Sequence, residues 1–153
     1  MLRLLAASVL LVSGCSANGV TINQTQALTR VEQLIRDTAN GLTPRPELEQ
    51  LPMFTAPTAC LDEDKSQDQI TVSRAYWLRG VPKSENVAIS RQVRAYWEAH
   101  GHRITSIGGT GNPGVTGESR PDGFTMTLTW VEGDSLYLGA ASPCVWPDGT
   151  PSP

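Results

Sequence analysis

The sequence predicts an α+β fold: a two-layer sandwich in which a four-stranded mixed or antiparallel sheet carries two helices on one face, in the order α-β-α-β-β-β. Three observations predict it. Two stretches repeat apolar residues at helical spacing, several others alternate apolar and polar residues with a period of two, and glycine or proline punctuates the junctions between them. With 153 residues there is material for one ordinary domain.

Thr25 is placed to cap the first helix, whose face is formed by Leu28, Val31, Leu34 and Ile35. Gly41 offers a left-handed stop, Leu42 the usual hydrophobic follower and Pro44 a barrier to continuation. The stretch 42–59 carries Pro44, Pro46, Pro52 and Pro57 and is expected to run extended over the surface. Asp62, Glu63 and Asp64 could offer oxygens to a hard cation, but the glycine and distal glutamate of a calcium loop are missing, so they read as a solvated acidic turn.

Ile70, Val72, Arg74, Tyr76 and Leu78 alternate with Thr71, Ser73, Ala75 and Trp77, which is the period of a strand. Gly80-Val81-Pro82 ends it. Ser84 or Asn86 is the cap of a second helix, in which Ile89, Val93, Tyr96, Trp97 and His100 form one stripe and Gly101 the left-handed terminus. His102 to Ile107 reads as a short strand. Phe124, Met126, Leu128 and Trp130 alternate with threonines as a half-buried strand, and Glu132-Gly133-Asp134 turns it into its partner, Ser135 to Ala141.

The first residues read as an address. Arg3 precedes the apolar run Leu4 to Val12, which is shorter than the roughly 20 residues needed to cross a hydrocarbon core. Val12-Ser13-Gly14-Cys15 resembles the lipobox of bacterial lipoproteins, in which small residues admit the chain to the peptidase and the cysteine thiol takes a diacylglyceryl group. The resemblance implies a signal peptide over 1–14, lipidation at Cys15 and attachment to the outer face of the cytoplasmic membrane. A polar tether over 15–24, a single domain over 25–147 and a disordered tail over 148–153 complete the expected organisation. Loss of the signal removes Arg3 and moves the formal charge from -3 to -4, so the lipid and not a basic patch would hold the protein down.

Three cysteines are present. With Cys15 assigned to lipid, Cys60 and Cys144 remain, and an even remainder in an oxidising compartment reads as one structural disulfide. Neither has the spacing or the neighbouring histidines of a metal or redox pair.

Chemistry-bearing patterns are sparse. His100 and His102 flank Gly101, but no third ligand stands at a recognisable spacing, and a histidine in the last helical turn favourably meets the dipole end. The loop 108–114 contains Gly108, Gly109, Gly111 and Asn112. It lacks the Lys-Ser/Thr ending of a phosphate loop and no helix opens after it, so it reads as a mobile connection and a weak candidate for partner contact. The serines lack a nucleophile elbow. Trp77, Trp97, Trp130 and Trp146 read as core or core-rim residues, with Trp77 and Trp130 forming an adhesive patch if the sheet leaves a face uncovered. No metal site and no cofactor is expected, and the mild acidity argues against a nucleic-acid partner.

The run Tyr96-Trp97-Glu98-Ala99-His100-Gly101-His102, the segment Pro121-Asp122-Gly123-Phe124 and the ending Ser142-Pro143-Cys144-Val145-Trp146-Pro147 resemble small lipoproteins of high-GC Gram-positive bacteria. Arg supplies 10 of the 12 basic residues, as high-GC coding favours. This resemblance implies an envelope location and paired cysteines; it implies no activity. The expectation is a lipid-anchored, non-enzymatic binding or interaction module for an envelope protein or small ligand. The alternative is a small envelope enzyme acting on cell-wall material through carboxylates such as Asp122 or Glu118.

Overall fold

The computed structural model describes residues 21–60, 68–109 and 111–151; the signal segment, Cys15 and the acidic cluster 62–64 lie outside them. Helix α1 spans Gln24–Asn40 and α2 spans Asn86–Ala99. The strands are β1 (Glu47–Gln50), β2 (Thr58–Ala59), β3 (Ile70–Thr71), β4 (Ser73–Arg79), β5 (Arg103–Ile107), β6 (Val115–Glu118), β7 (Thr125–Val131) and β8 (Ser135–Ala141). No helix among the described residues is long and apolar enough to cross a membrane.

The α+β class holds, but the main sheet has six strands rather than four. Its order is β1-β4-β8-β7-β6-β5, antiparallel throughout, and β2 pairs with β3 in a separate two-stranded sheet. The added strands are weak in sequence for identifiable reasons. β1 lies at an edge between Pro46 and Pro52, and of its four residues only Leu48 is half-buried against the core. β6 points Val115 and Gly117 inward, and a glycine carries no apolar side chain to reveal a period. Space there is tight, since a Cβ at Gly117 would sit 3.0 Å from the Trp97 ring and 3.2 Å from the Arg103 carbonyl. The strand expected from Ile70 onward is divided into β3 and β4.

Both helices cover one face. Tyr76 of β4 donates its hydroxyl to Glu32 of α1 at 2.7 Å, and Gly117 of β6 abuts Trp97 of α2. Tyr76, Leu138 and Leu128 are cross-strand neighbours, which puts these contacts on the same side. Helix α2 therefore links β4 to β5, two strands of like direction with β8, β7 and β6 between them. The layer between helices and sheet is filled by Val31, Ile35, Ile89, Val93, Trp97, Met126, Leu128 and Leu138, each at most 2% exposed.

Helix ends correct the sequence expectations in detail. Asn23, not Thr25, caps α1: its side chain accepts from Gln26 N at 2.9 Å while Gln26 Oε1 accepts from Asn23 N at 3.0 Å, a reciprocal capping box. Gly41 is right-handed, with φ of -82°, so it does not serve as a left-handed stop. Its role is space: an added Cβ would lie 2.6 Å from the Tyr96 ring of α2. A 3-10 turn, Lys83–Glu85, leads into α2 in place of a side-chain cap, and buried Asn86 instead donates to the Asp134 carbonyl at 2.7 Å. Gly101 is left-handed as expected, with φ of +76°.

Cys60 and Cys144 are joined by a disulfide with Cα atoms 6.1 Å apart, across 84 residues of sequence. Backbone bonds between Ile70 and Val145, both 2.9 Å, align the same region. The last described residues return to the start: Gln24 N donates to Pro147 O at 3.1 Å, and buried Gly149 lies against Asn23.

Candidate functional site: a strapped groove on the uncovered sheet face

Strand alternation sends every second side chain away from the helices. On this far face β4 presents Ser73, Ala75, Trp77 and Arg79, β8 presents Tyr137, Gly139 and Ala141, and β7 presents Thr125, Thr127 and Thr129. Cross-strand register aligns them in rows: Ser73, Ala141 and Thr125; Ala75, Gly139 and Thr127; Trp77, Tyr137 and Thr129. Trp130 points the other way and donates to Ser90 of α2 at 3.2 Å, so of the two tryptophans singled out for an uncovered face only Trp77 occupies it.

One segment borders this face. Residues 51–60 form a strap along the outer edge of β4, bulging out between the Leu51 N to Ala75 O bond and the β2–β3 pairing, with a 3-10 turn at Pro52–Phe54. Beside it lies a groove of about 440 Å³, with Ala75, Gly139, Ala141 and Thr127 as floor and Met53, Phe54 and Tyr137 as wall. The small floor residues create the depth. A Cβ at Gly139 would already stand 3.1 Å from Thr127 Oγ1.

Aromatic rings extend the groove along the face. Phe54 and Tyr137 are 6.1 Å apart, and Tyr137 meets Trp77 edge-on at 5.8 Å. The Arg79 guanidinium covers the Trp77 ring at 5.2 Å while its Nε and Nη2 bind Glu49 at 2.8 and 3.0 Å. Met53, on the strap, is 79% exposed.

The charged side chain that lines the groove, Arg74, is occupied. Its Nη1 donates to the carbonyls of Ser73, Thr55 and Phe54 at 2.8, 2.9 and 3.1 Å, and its Nε lies 3.7 Å from Glu32. The groove thus offers hydroxyls and apolar atoms. It does not offer a vacant charge.

The glycine loop lies elsewhere. Gly108, Gly109, Gly111 and Asn112 belong to the β5–β6 connection, closed by Gly108 N to Gly114 O at 2.8 Å and Asn112 N to Gly109 O at 3.1 Å. A Cβ at Gly108 would fall 2.0 Å from the Asn112 carbonyl, so close backbone approach accounts for this glycine. The loop borders a shallow hollow of about 410 Å³ with Ser106, Thr116 and Thr129, which shares no lining residue with the strapped groove.

The residues weighed for catalysis are held in structural roles. His100 Nδ1 meets the Tyr96 carbonyl at 2.7 Å, and its ring stacks on Tyr96 at 4.0 Å. His102 Nδ1 accepts from Arg120 N at 3.2 Å, and burial, with the nearby Arg30 charge, lowers its pKa below the ordinary 6.5. Burial alone would raise the pKa of Asp122, but the Ser119 hydroxyl and Arg30, at 2.6 Å, hold it below its ordinary value. Glu118 is lowered by its hydrogen bond to Arg103 at 2.6 Å, against a smaller opposing effect of burial and with help from Arg120. A carboxyl that works as a general acid near neutrality needs the opposite shift.

Sequence reasoning missed the strap and the groove. The available signal was an apolar Met53-Phe54 pair inside a proline-rich segment, together with small residues on the outward positions of β4 and β8.

No protein-family model, no curated protein and no solved structure matches this chain.

Proposed function

We propose that this is a lipid-anchored, non-enzymatic binding protein on the outer face of the cytoplasmic membrane, and that the strapped groove takes a small, uncharged, largely apolar ligand. The observation that carries the reading is the groove itself. Its volume falls in the range of small-molecule sites, and its floor is apolar with a few hydroxyls. An ionised ligand would lose hydration there without gaining a free counter-charge, because Arg74 already serves three carbonyls and faces Glu32. The anchor rests on the Val12-Ser13-Gly14-Cys15 pattern.

Titration of the full chain with N-phenyl-1-naphthylamine, an uncharged dye that brightens in apolar surroundings, tests the groove. Saturable brightening is expected for the native protein and for Asn112→Ala, with loss in Gly139→Val, which fills the floor. Thr127→Leu serves the same purpose should Gly139→Val fail to fold. No saturable signal in the native protein, or an unaltered signal in the filled variants, overturns the reading. For the anchor, mass spectrometry of the cell-derived protein is expected to find an N-terminal lipidated Cys15, and Cys15→Ala should leave a precursor or release protein from the membrane. Lipid-free native protein with the leader still attached would refute it.

A further inference from the structure

The strap beside the groove is fastened unequally along its length. At its start, Leu51 is buried and its N–H bonds to the Ala75 carbonyl of β4 at 2.9 Å. At its end, Thr58–Ala59 pairs with β3, Cys60 N bonds to Gln69 O at 3.0 Å, and the disulfide ties Cys60 to Cys144. The middle is held by a side chain instead of a strand ladder: Arg74 Nη1 reaches the carbonyls of Phe54 and Thr55. Around that contact Met53, Thr55, Ala56 and Pro57 are exposed.

These features differ in how readily they open. Backbone pairing backed by a covalent cross-link resists local unfolding, whereas two carbonyl bonds at an exposed segment exchange with water at small cost. The guanidinium also keeps its counter-charge when the strap lifts. Glu32, 3.7 Å from Arg74 Nε, is held by Tyr76 Oη at 2.7 and 2.9 Å and by Arg36 at 3.4 Å, all independent of the strap.

We infer that Arg74 is the latch of the groove: it holds the Met53–Ala56 bulge against the groove's edge, and its release lets that part swing away between two fixed ends and admit or discharge a ligand. This rests on the reading of the groove as a binding site. Arg74 is a positioning residue here, acting through the strap. It governs how fast a ligand comes and goes more than how well it fits.

Two measurements on the full chain separate the latch from the binding reading. The first is the rate of chymotryptic cleavage after Phe54, which requires the strap to leave the sheet. Arg74→Met removes the donors at similar length and should speed cleavage roughly tenfold, with cleavage after Tyr137 unchanged. Glu32→Gln leaves the carbonyl contacts in place and should not speed it. The second is stopped-flow binding of N-phenyl-1-naphthylamine, in which Arg74→Met should raise association and dissociation rates together and leave Kd within about threefold. Equal cleavage after Phe54 in native and Arg74→Met proteins overturns the latch, as does faster cleavage at both sites alike. If Arg74→Met does not fold, Arg74→Lys takes its place and should give an intermediate rate. Absence of dye binding to the native protein defeats the binding reading, while the cleavage result still decides the latch.

Discussion

The indole N–H of Trp97 on α2 donates to Thr38 Oγ1 on α1 at 2.9 Å, and the Thr38 hydroxyl in turn donates a hydrogen bond to the Leu34 carbonyl at 2.7 Å. Both residues are almost wholly buried, at 1% and 2% exposure. This relay fixes how the two helices sit on the sheet. Thr38→Val keeps the volume but strands a buried N–H, and should cost about 1 to 3 kcal/mol in urea unfolding, with Thr38→Ser recovering most of it. Trp97→Ala empties the centre of the layer and should cost roughly 3 to 5 kcal/mol.

The disulfide closes 84 residues of chain separation, so its loss should be felt mainly as freedom regained by the unfolded state. Cys60→Ser is expected to lower stability by roughly 4 to 5 kcal/mol on the chain-entropy estimate. Thiol labelling of the native protein should find neither Cys60 nor Cys144 reactive. A labelled native Cys144 would contradict the pairing.

Acid should weaken the fold in two stages. His102 has a folded pKa below 6.5, so as pH falls past 6.5 the unfolded chain takes up the proton first. The stability it contributes is complete above pH 6.5 and declines below it, until the folded ring protonates too. Asp122 acts lower: its folded pKa lies beneath the ordinary 3.8, so its contribution is present above that value and is lost as pH falls through the lowered one. Urea midpoints measured against pH should show both stages, and His102→Gln should remove the first alone.

Two helix-terminal glycines should respond to alanine for opposite reasons. At Gly41 the backbone is right-handed and acceptable to any residue, but the new methyl meets the Tyr96 ring at 2.6 Å; about 1 to 3 kcal/mol is expected from the forced repacking. At Gly101 nothing lies within 4 Å of an added Cβ, yet φ is +76°, so roughly 1 to 2 kcal/mol should come from the backbone alone. Shortening the neighbour with Tyr96→Ala should therefore soften Gly41→Ala and leave Gly101→Ala unaffected.

The parts of the fold that were legible in sequence are those whose burial is continuous along the chain. Ile89, Val93 and Trp97 form an unbroken stripe, and all three are at most 1% exposed. The β7 residues Met126 and Leu128 alternate with threonines that do face outward. The two strands of the main sheet that escaped notice have too few apolar side chains to show a period: Leu48 alone in β1, and Val115 beside a glycine in β6. The groove was hidden for a related reason. It is made by what its floor lacks, at Ala75, Gly139 and Ala141, and by a proline-rich segment at the sheet edge whose carbonyls are bound by the distant side chain of Arg74. Hydropathy along a chain records side chains that are present, and a hollow gives it nothing to record.

The bond from Gln24 to Pro147 and the contact of Gly149 with Asn23 bring the polypeptide back beside the start of α1. The architecture is therefore almost a closed ring, and the position of its opening is a matter of genetic layout. A gene permuted to join Gly149 and Asn23 by a few linker residues, and reopened at the exposed Gly111, would encode the same three-dimensional object with its elements read out in a different sequence order.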